Sequence, residues 1–183
     1  MEQQQLPDFE CDVLPHLDAA YNLARWLLRS EQDTQDAVQE AVLRALRFFA
    51  GLRSRNARPW LMRIVRNICY TRLQDTRRLQ DVVEFDEDLI LPDWHAPNPE
   101  SAVLQEESGA LVRKAMTELP TNLREVLILR ELEGMSYREI AEITGVPIGT
   151  VMSSLSRARG RLRQRLSGFM NGETGYAPSE PWL

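Results

Sequence analysis

Arginine side chains are concentrated in two separate stretches of this 183-residue sequence. Residues 44–78 contain ten arginines and one acid, and residues 143–170 contain five arginines and no acid. Guanidinium groups form planar, bidentate hydrogen bonds with phosphate or guanine, although a GC-rich genome would also favour arginine over lysine. The net charge is −5, but charges separated by more than about 8 Å are largely screened at physiological salt. Two local basic sites are therefore compatible with an acidic protein and indicate nucleic acid as a partner.

The first basic stretch combines arginines with aromatic and amide side chains. Trp60, Arg63, Asn67 and Tyr70 recur at the spacing of one helical face, with Arg58 and Arg66 nearby. Stacking an unpaired base on an aromatic ring returns about 1–3 kcal/mol, which offsets part of the cost of unpairing it. This face is suited to melted DNA. The alternative is that Trp60 belongs to the hydrophobic core.

The second basic stretch follows the pattern of a helix-turn-helix. Ala141 lets two helices approach closely, Gly145 accepts a left-handed turn, and Val151 packs between the helices. Short hydroxyl side chains and alternating arginines come next, and they are suited to base edges and phosphates. These residues are Ser153, Ser154, Ser156, Arg157, Arg159, Arg161, Arg163 and Arg165. The alternative is a helical hairpin that binds no DNA.

An acidic and amide stripe precedes the first basic stretch. Asp36, Gln39, Glu40 and Leu43 fall on the side of a predicted helix away from its apolar residues. Carboxylates and amides around one apolar side chain suit a basic partner helix. The alternative is a solvated helix face.

Helical periodicity dominates the chain, and strand-like alternation is absent, so we predict an all-α fold of two small helical domains. Ser30 and Asp33 are predicted to cap one helix, and Ser136 with Glu139 has the spacing of a capping box. We place the first domain at 1–78, an acidic linker at 79–107, the second domain at 108–168 and a flexible tail at 169–183. The linker segment contains nine acids and no Lys or Arg.

Other functional classes find no support in the residues. Two cysteines, Cys11 and Cys69, and two histidines, His16 and His95, do not match a zinc-site spacing. No phosphate-binding glycine motif, nucleophile triad, signal peptide or membrane-spanning run is present. We therefore expect a cytoplasmic protein without enzymatic activity, metal, cofactor, small-molecule substrate or membrane insertion.

The sequence resembles the extracytoplasmic-function group of bacterial sigma factors, which belongs to the sigma-70 family. The promoter-reading domain of that group is matched by Leu119-Pro120, Arg124-Glu125-Val126, Gly134, Ser136-Tyr137, Glu139-Ile140-Ala141, Gly149-Thr150-Val151, Ser153 and Arg157-Ala158-Arg159. Its polymerase-binding segment is similar to residues 36–45, and its minus-10 segment to residues 59–67. The resemblance implies an initiation factor that binds core RNA polymerase, directs it to promoters and assists DNA melting.

The resemblance also assigns roles to individual residues. The residues implied to bind core polymerase are Asp36, Gln39, Glu40 and Leu43. Those implied to contact minus-10 DNA are Arg53, Arg55, Asn56, Arg58, Trp60, Arg63, Arg66, Asn67 and Tyr70. Those implied to contact minus-35 DNA are Arg138, Thr150, Met152, Ser153, Ser154, Ser156, Arg157, Arg159 and Arg161.

Several partners follow from the same resemblance. The expected contacts on the polymerase are the coiled coil of the largest subunit and the flap region. The acidic linker is expected to pass near the transcript path. An anti-sigma factor is the expected inhibitor. Two other hypotheses are a dimeric helix-turn-helix repressor or activator and a polymerase-binding regulator without a promoter function. Monomer binding to an asymmetric, two-element promoter would distinguish the sigma factor from both.

We predict a minus-35 preference that differs from the element common to this group. Recognition helices of the group often carry basic residues at the positions of Met152 and Ser154, so direct reading of guanine is weakened here. Selection of binding sites from a random DNA pool measures the preference. Recovery of the common element itself would contradict the prediction.

Overall fold

The computed structural model describes residues 8–52, 56–80 and 102–170, and within these ranges the chain is helical and contains no strand. Residues 8–12 are helical, and the helices that follow are α1 (Leu17–Leu28), α2 (Glu31–Phe48), α3 (Ala57–Gln80), α4 (Ala102–Thr117), α5 (Thr121–Leu127), α6 (Tyr137–Thr144) and α7 (Ile148–Met170). Short 3-10 turns cover Leu14–His16 and Phe49–Gly51, and a π-helical turn, Ile128–Leu132, extends α5. The all-α prediction is confirmed.

Helices α1, α2 and α3 form the N-terminal half of the described structure. Leu23 and Leu27 of α1 are buried, and α2 turns three fully buried alanines, Ala37, Ala41 and Ala45, toward its neighbours. Small side chains at every fourth position allow close approach of the helix axes. The predicted cap of α2 is confirmed, because the Ser30 hydroxyl accepts a hydrogen bond from the Asp33 backbone N–H at 3.3 Å.

Helices α4 to α7 form the C-terminal half, which contains the predicted helix-turn-helix. The capping box is present at the start of α6, where Ser136 and Glu139 exchange hydrogen bonds. Gly145 ends α6 in the left-handed conformation, with a φ of 72°. Helix α7 then packs on α5 and α6 through Val151 and Leu155, which leaves its opposite face exposed.

The two halves pack against each other. Helix α3 contacts α6, helix α1 contacts α5, and one cluster of buried residues runs through both halves. Helix α3 ends at Gln80 and helix α4 begins at Ala102. Each helix therefore extends into one end of segment 79–107, which is predicted as a linker. Residues 81–101 of that segment lie outside the described residues, as does the tail from residue 171. None of the described helices is long and apolar enough to cross a membrane.

Replacement of two exposed glycines by alanine tests the helix-turn-helix geometry. We expect Gly145→Ala to lower the free energy of unfolding by about 1–2 kcal/mol, because the left-handed conformation is unfavourable for a residue with a Cβ. Gly160 is the matched control: it lies inside α7, and a Cβ added at either glycine would have no neighbouring atom within 4 Å. Gly160→Ala should stabilise the protein by up to about 1 kcal/mol. Urea unfolding measures both, and equal effects would contradict the assigned turn.

Candidate polymerase and nucleic-acid interfaces

The polymerase-binding residues predicted on α2 lie together on its outer face. Asp36, Gln39 and Leu43 are exposed, and Leu43 retains 68% of its accessible surface. Glu40 is half-buried, and its carboxylate pairs with Arg44 at 2.5 Å and with Arg72 of α3 at 3.2 Å. The stripe therefore presents amide, acidic and apolar groups to solvent, while Glu40 is partly engaged within the chain.

One further apolar side chain, Leu46, extends this stripe and is 42% exposed. Phe48, at the end of α2, is 60% exposed but lies on a different face of the helix. Exposed large apolar residues that cluster beside a polar stripe are typical of a protein interface. The sequence contains a signal for Leu46, because it follows Leu43 by three residues and lies on the same face of the helix.

The predicted minus-10 residues do not form one surface. Arg63 and Asn67 are exposed on α3, and Trp60 is half-buried against the core, which partly confirms the alternative of a core role. The side chains of Arg58, Arg66 and Tyr70 instead contact the C-terminal half. Arg53 and Arg55 lie outside the described residues.

Glu125 of α5 is the acceptor for two of these side chains. Its carboxylate accepts hydrogen bonds from Arg66 Nε at 2.6 Å and from the Tyr70 hydroxyl at 2.8 Å. The Arg66 guanidinium also lies over the Tyr70 ring, 4.3 Å from its centroid. Glu125 is only 2% exposed, so these two donors replace the water that a carboxylate would otherwise require.

Two more carboxylates of the C-terminal half contact the start of α3. Arg58 Nη2 donates to the Glu133 carbonyl oxygen at 2.8 Å and to its Oε2 at 3.0 Å. The Asn56 amide donates to Glu139 Oε1 at 3.3 Å. Four predicted minus-10 residues, Asn56, Arg58, Arg66 and Tyr70, therefore have carboxylate partners from the other half.

Burial and charge set the protonation of these groups. Burial raises the pKa of Glu125 above its usual value, although the Arg66 charge opposes the shift. Burial, and then the adjacent Glu125 carboxylate, raise the pKa of the Tyr70 hydroxyl, which remains protonated as a donor at neutral pH. At Glu139 the Ser136 backbone N–H lowers the pKa, since it donates to the carboxylate within the capping box.

The predicted minus-35 residues lie mainly on the exposed face of the helix-turn-helix. The exposed members are Arg138, Thr150, Met152, Ser153, Ser156, Arg157, Arg159 and Arg161. The placement of Ser154 on this surface is corrected: Ser154 is 7% exposed and shares the buried side of α7 with Val151 and Leu155. Its hydroxyl accepts a hydrogen bond from Arg157 Nη2 at 3.3 Å.

The arginines of α7 differ in their surroundings. Arg159 donates to Glu131 from Nη2 at 2.6 Å and from Nε at 3.0 Å, so its guanidinium is already paired within the C-terminal half. Arg161, two residues further along α7, is exposed on a different face of the helix. The pairing of Arg159 with Glu131 was not predicted from the sequence, because the two residues are 28 positions apart. The direction of the Glu131 side chain also depends on the π-helical turn that contains it.

The two cysteines of the described part of the chain differ in exposure and are not paired with each other. Burial raises the pKa of the Cys69 thiol to about 12, which makes the thiolate scarce at neutral pH. Cys11 is exposed. No group of three or more histidine, cysteine, aspartate or glutamate side chains in the described ranges could hold a metal ion.

Substitution of Arg66 tests the buried carboxylate contact. We expect Arg66→Gln to lower the free energy of unfolding by about 1–3 kcal/mol at neutral pH, because Glu125 loses its cationic partner. Loss of the Arg66 charge would raise the pKa of Glu125 further. A raised carboxyl pKa favours the folded state at low pH and disfavours it as pH rises through the folded pKa.

The loss of unfolding free energy caused by Arg66→Gln should therefore be smaller at pH 5 than at pH 8, as measured by urea unfolding. Arg63→Gln is the matched control, because Arg63 is an exposed arginine on the same helix. A deficit independent of pH, or one equal in both variants, would contradict the contact.

Comparison with known proteins gives the family of the chain. The model described as Sigma-70 region 2 matches residues 13–79, and the model described as Sigma-70, region 4 matches residues 110–162. RNA polymerase sigma-H factor of Pseudomonas aeruginosa is 34% identical over 88% of this chain and 88% of its own length. ECF RNA polymerase sigma factor SigE of Mycolicibacterium smegmatis is 31% identical over 91% of this chain, which spans 64% of that relative.

Two solved structures of other proteins have folds similar to that of this chain. The sigma factor RpoE of Bartonella quintana, in complex with the anti-sigma factor NepR, matches with a TM-score of 0.69 at 30% identity, over 87% of this chain and 97% of that one. CnrH, in complex with the cytosolic domain of CnrY, shares the fold, with a TM-score of 0.60 at 24% identity over 91% of this chain and 89% of that one. The sigma-factor relatives support the sigma-factor hypothesis over a dimeric helix-turn-helix regulator. The chain belongs to the extracytoplasmic-function group of the sigma-70 family, the initiation factors of bacterial transcription.

Proposed function

We propose that the exposed stripe of α2 is the surface by which this sigma factor docks on core RNA polymerase. The observation that carries the proposal is the joint exposure of Asp36, Gln39 and Leu43 on one helix face. The proposed partner is the coiled coil of the largest polymerase subunit. Acidic and amide groups would complement a basic helix, and Leu43, extended by Leu46, would supply the apolar anchor.

The proposed minus-10 site contains two sets of residues. Arg63 and Asn67 are exposed in the packed arrangement, and Trp60 lies half-buried beside them. Arg58, Arg66 and Tyr70 would join them only after their carboxylate partners are exchanged for DNA. Arg53, Arg55 and Asn56 complete the site as the resemblance implies it. Charge and stacking from these residues would help to hold a melted strand.

The proposed minus-35 site is the outer face of α7 with the start of α6. Thr150, Met152, Ser153 and Ser156 present uncharged side chains to a major groove. Arg157 would contact base edges together with Ser153 and Ser156. Arg138, Arg159 and Arg161 would bind the flanking phosphates, with Arg159 first released from Glu131. Ser154 is not part of this proposal, because it faces the interior.

Further partners follow from the family. The acidic segment 79–107 would pass near the transcript path, and the C-terminal half would contact the flap region of the polymerase. An anti-sigma factor is the proposed inhibitor, in keeping with the solved relative RpoE, which is bound to the anti-sigma factor NepR. The chain itself would act in the cytoplasm and carry no catalysis, because RNA synthesis belongs to the polymerase.

Co-elution with bacterial core RNA polymerase on a sizing column tests the docking surface. We expect the wild-type protein to co-elute and the double variant Asp36→Arg, Gln39→Ala to bind at least about tenfold more weakly. The reversed charge would face a basic partner, and like charges across an interface cost several kcal/mol. Asp75→Arg is the matched control, since Asp75 is an exposed acid on α3 outside the stripe.

Equal loss of binding in the Asp75→Arg control and the double variant would contradict the assigned surface. Failure of the wild type to co-elute, after an anti-sigma factor and a mismatched polymerase have been excluded, would contradict the function itself.

A further inference from the structure

A groove of about 550 Å³ lies between the two halves, away from the Arg58–Glu133 contact. The N-terminal half contributes Arg29, Tyr70, Leu73 and Gln74 to its walls. The C-terminal half contributes residues 117–122 and Arg124. Most of these side chains are polar, and none of them belongs to the proposed docking stripe or to the minus-35 surface.

Two guanidinium groups converge at this groove from opposite halves. Arg124 Nη1 donates to the Thr117 carbonyl oxygen at 3.0 Å, and Arg29 Nη2 donates to the same oxygen. Two positive charges thus share one neutral acceptor. Arg124 is 2% exposed, and charged groups are rarely buried to this degree unless they are paired.

Neither arginine has an anionic partner in the described structure. No carboxylate of the described residues forms an ion pair with Arg29 or Arg124, and the buried Nε of Arg124 lacks any hydrogen-bond acceptor. Glu118 also lines the groove, but its carboxylate pairs with Arg165 at 3.3 Å. A buried cation with an unused donor is destabilised, and an anion would supply both the missing acceptor and the missing charge.

The electrostatics of the groove agree with this geometry. Burial lowers the pKa of Arg124 to about 10, and the nearby Arg29 charge adds to the shift. Burial also lowers the pKa of Arg29. Both side chains remain charged at neutral pH, so an anion placed between them would relieve desolvation and mutual repulsion together.

We propose that this groove binds a phosphate-bearing small molecule, whose phosphate group bridges the Arg29 and Arg124 guanidiniums. Phosphate offers several acceptor oxygens and matches the planar donors of arginine. The exposed amides of Gln74 and Asn122 at the rim would contact the remainder of the molecule.

Such a ligand would hold the two halves together, because Arg29 and Arg124 come from different halves. It would therefore favour the arrangement in which Arg58, Arg66 and Tyr70 are paired with carboxylates, and it would oppose their contact with DNA. This regulatory consequence rests on the proposed function; the binding itself does not.

Phosphate binding to the full chain tests the site. The probes are inorganic phosphate and glucose 6-phosphate, each titrated at ionic strength matched with sodium chloride and followed by ³¹P NMR line width. We expect saturable binding of at least one probe to the wild type, and the tighter probe identifies free phosphate or a phosphomonoester as the source. Absence of saturable binding by both would overturn the proposal.

Two variants locate the site without deleting the buried Arg124. Arg29→Asn removes one charge, and asparagine tolerates the left-handed conformation of this position, where φ is 64°. Asn122→Asp adds a negative charge at the rim. Each should weaken binding about tenfold or more, whereas Arg47→Gln, at an exposed arginine on α2, should leave it unchanged.

Equal affinity in all three variants would overturn the assigned position. Co-elution of the same preparation with core polymerase separates the two proposals. Polymerase binding without phosphate binding overturns only the groove, and the reverse result overturns only the docking surface.

Discussion

A buried carboxylate joins the two halves of this sigma factor. Removing Glu125 from water carries a large desolvation cost, which is offset only when Arg66 and Tyr70 both donate to it. Replacing such a group by a packed apolar side chain is often neutral or stabilising, so its presence alone is weak evidence for stability. Because the two donors come from α3 and the acceptor from α5, the contact fixes how the helix-turn-helix is presented relative to the N-terminal helices.

The same contacts explain how an acidic chain accommodates its basic helix. Arg58, Arg66 and Arg72 of α3 pair with Glu133, Glu125 and Glu40. The ten arginines of residues 44–78 are therefore partly neutralised within the fold and only partly available to a partner. In the groove that Tyr70 also lines, Arg29 and Arg124 show the opposite situation, because the described residues supply no anion to balance these two cations.

Local features of the fold could be predicted from the sequence, and long-range ones could not. The helix caps at Ser30 and Ser136 and the turn at Gly145 depend only on neighbouring residues. The spacing of those residues was therefore sufficient to predict them. The pairing of Arg66 with Glu125 depends on how the halves pack, which no local pattern encodes. Ser154 was misplaced although a signal existed, because it lies three residues after Val151 and beside Leu155 on the apolar stripe of α7. Similarly, the charged pair Arg124-Glu125 interrupts a buried apolar run, which was a signal of their internal contacts that the motif-based prediction did not use.

If the minus-10 residues act as proposed, the carboxylate contacts of α3 make promoter DNA and the C-terminal half mutually exclusive ligands of the same side chains. If Arg58, Arg66 and Tyr70 bind the melted strand as proposed, the chain binds it only in the fraction of molecules whose halves have separated. The apparent dissociation constant then equals the intrinsic one divided by that fraction, so an open population of about 1% weakens binding about 100-fold. A partner that holds the halves apart, such as the polymerase itself, would strengthen promoter binding without touching DNA.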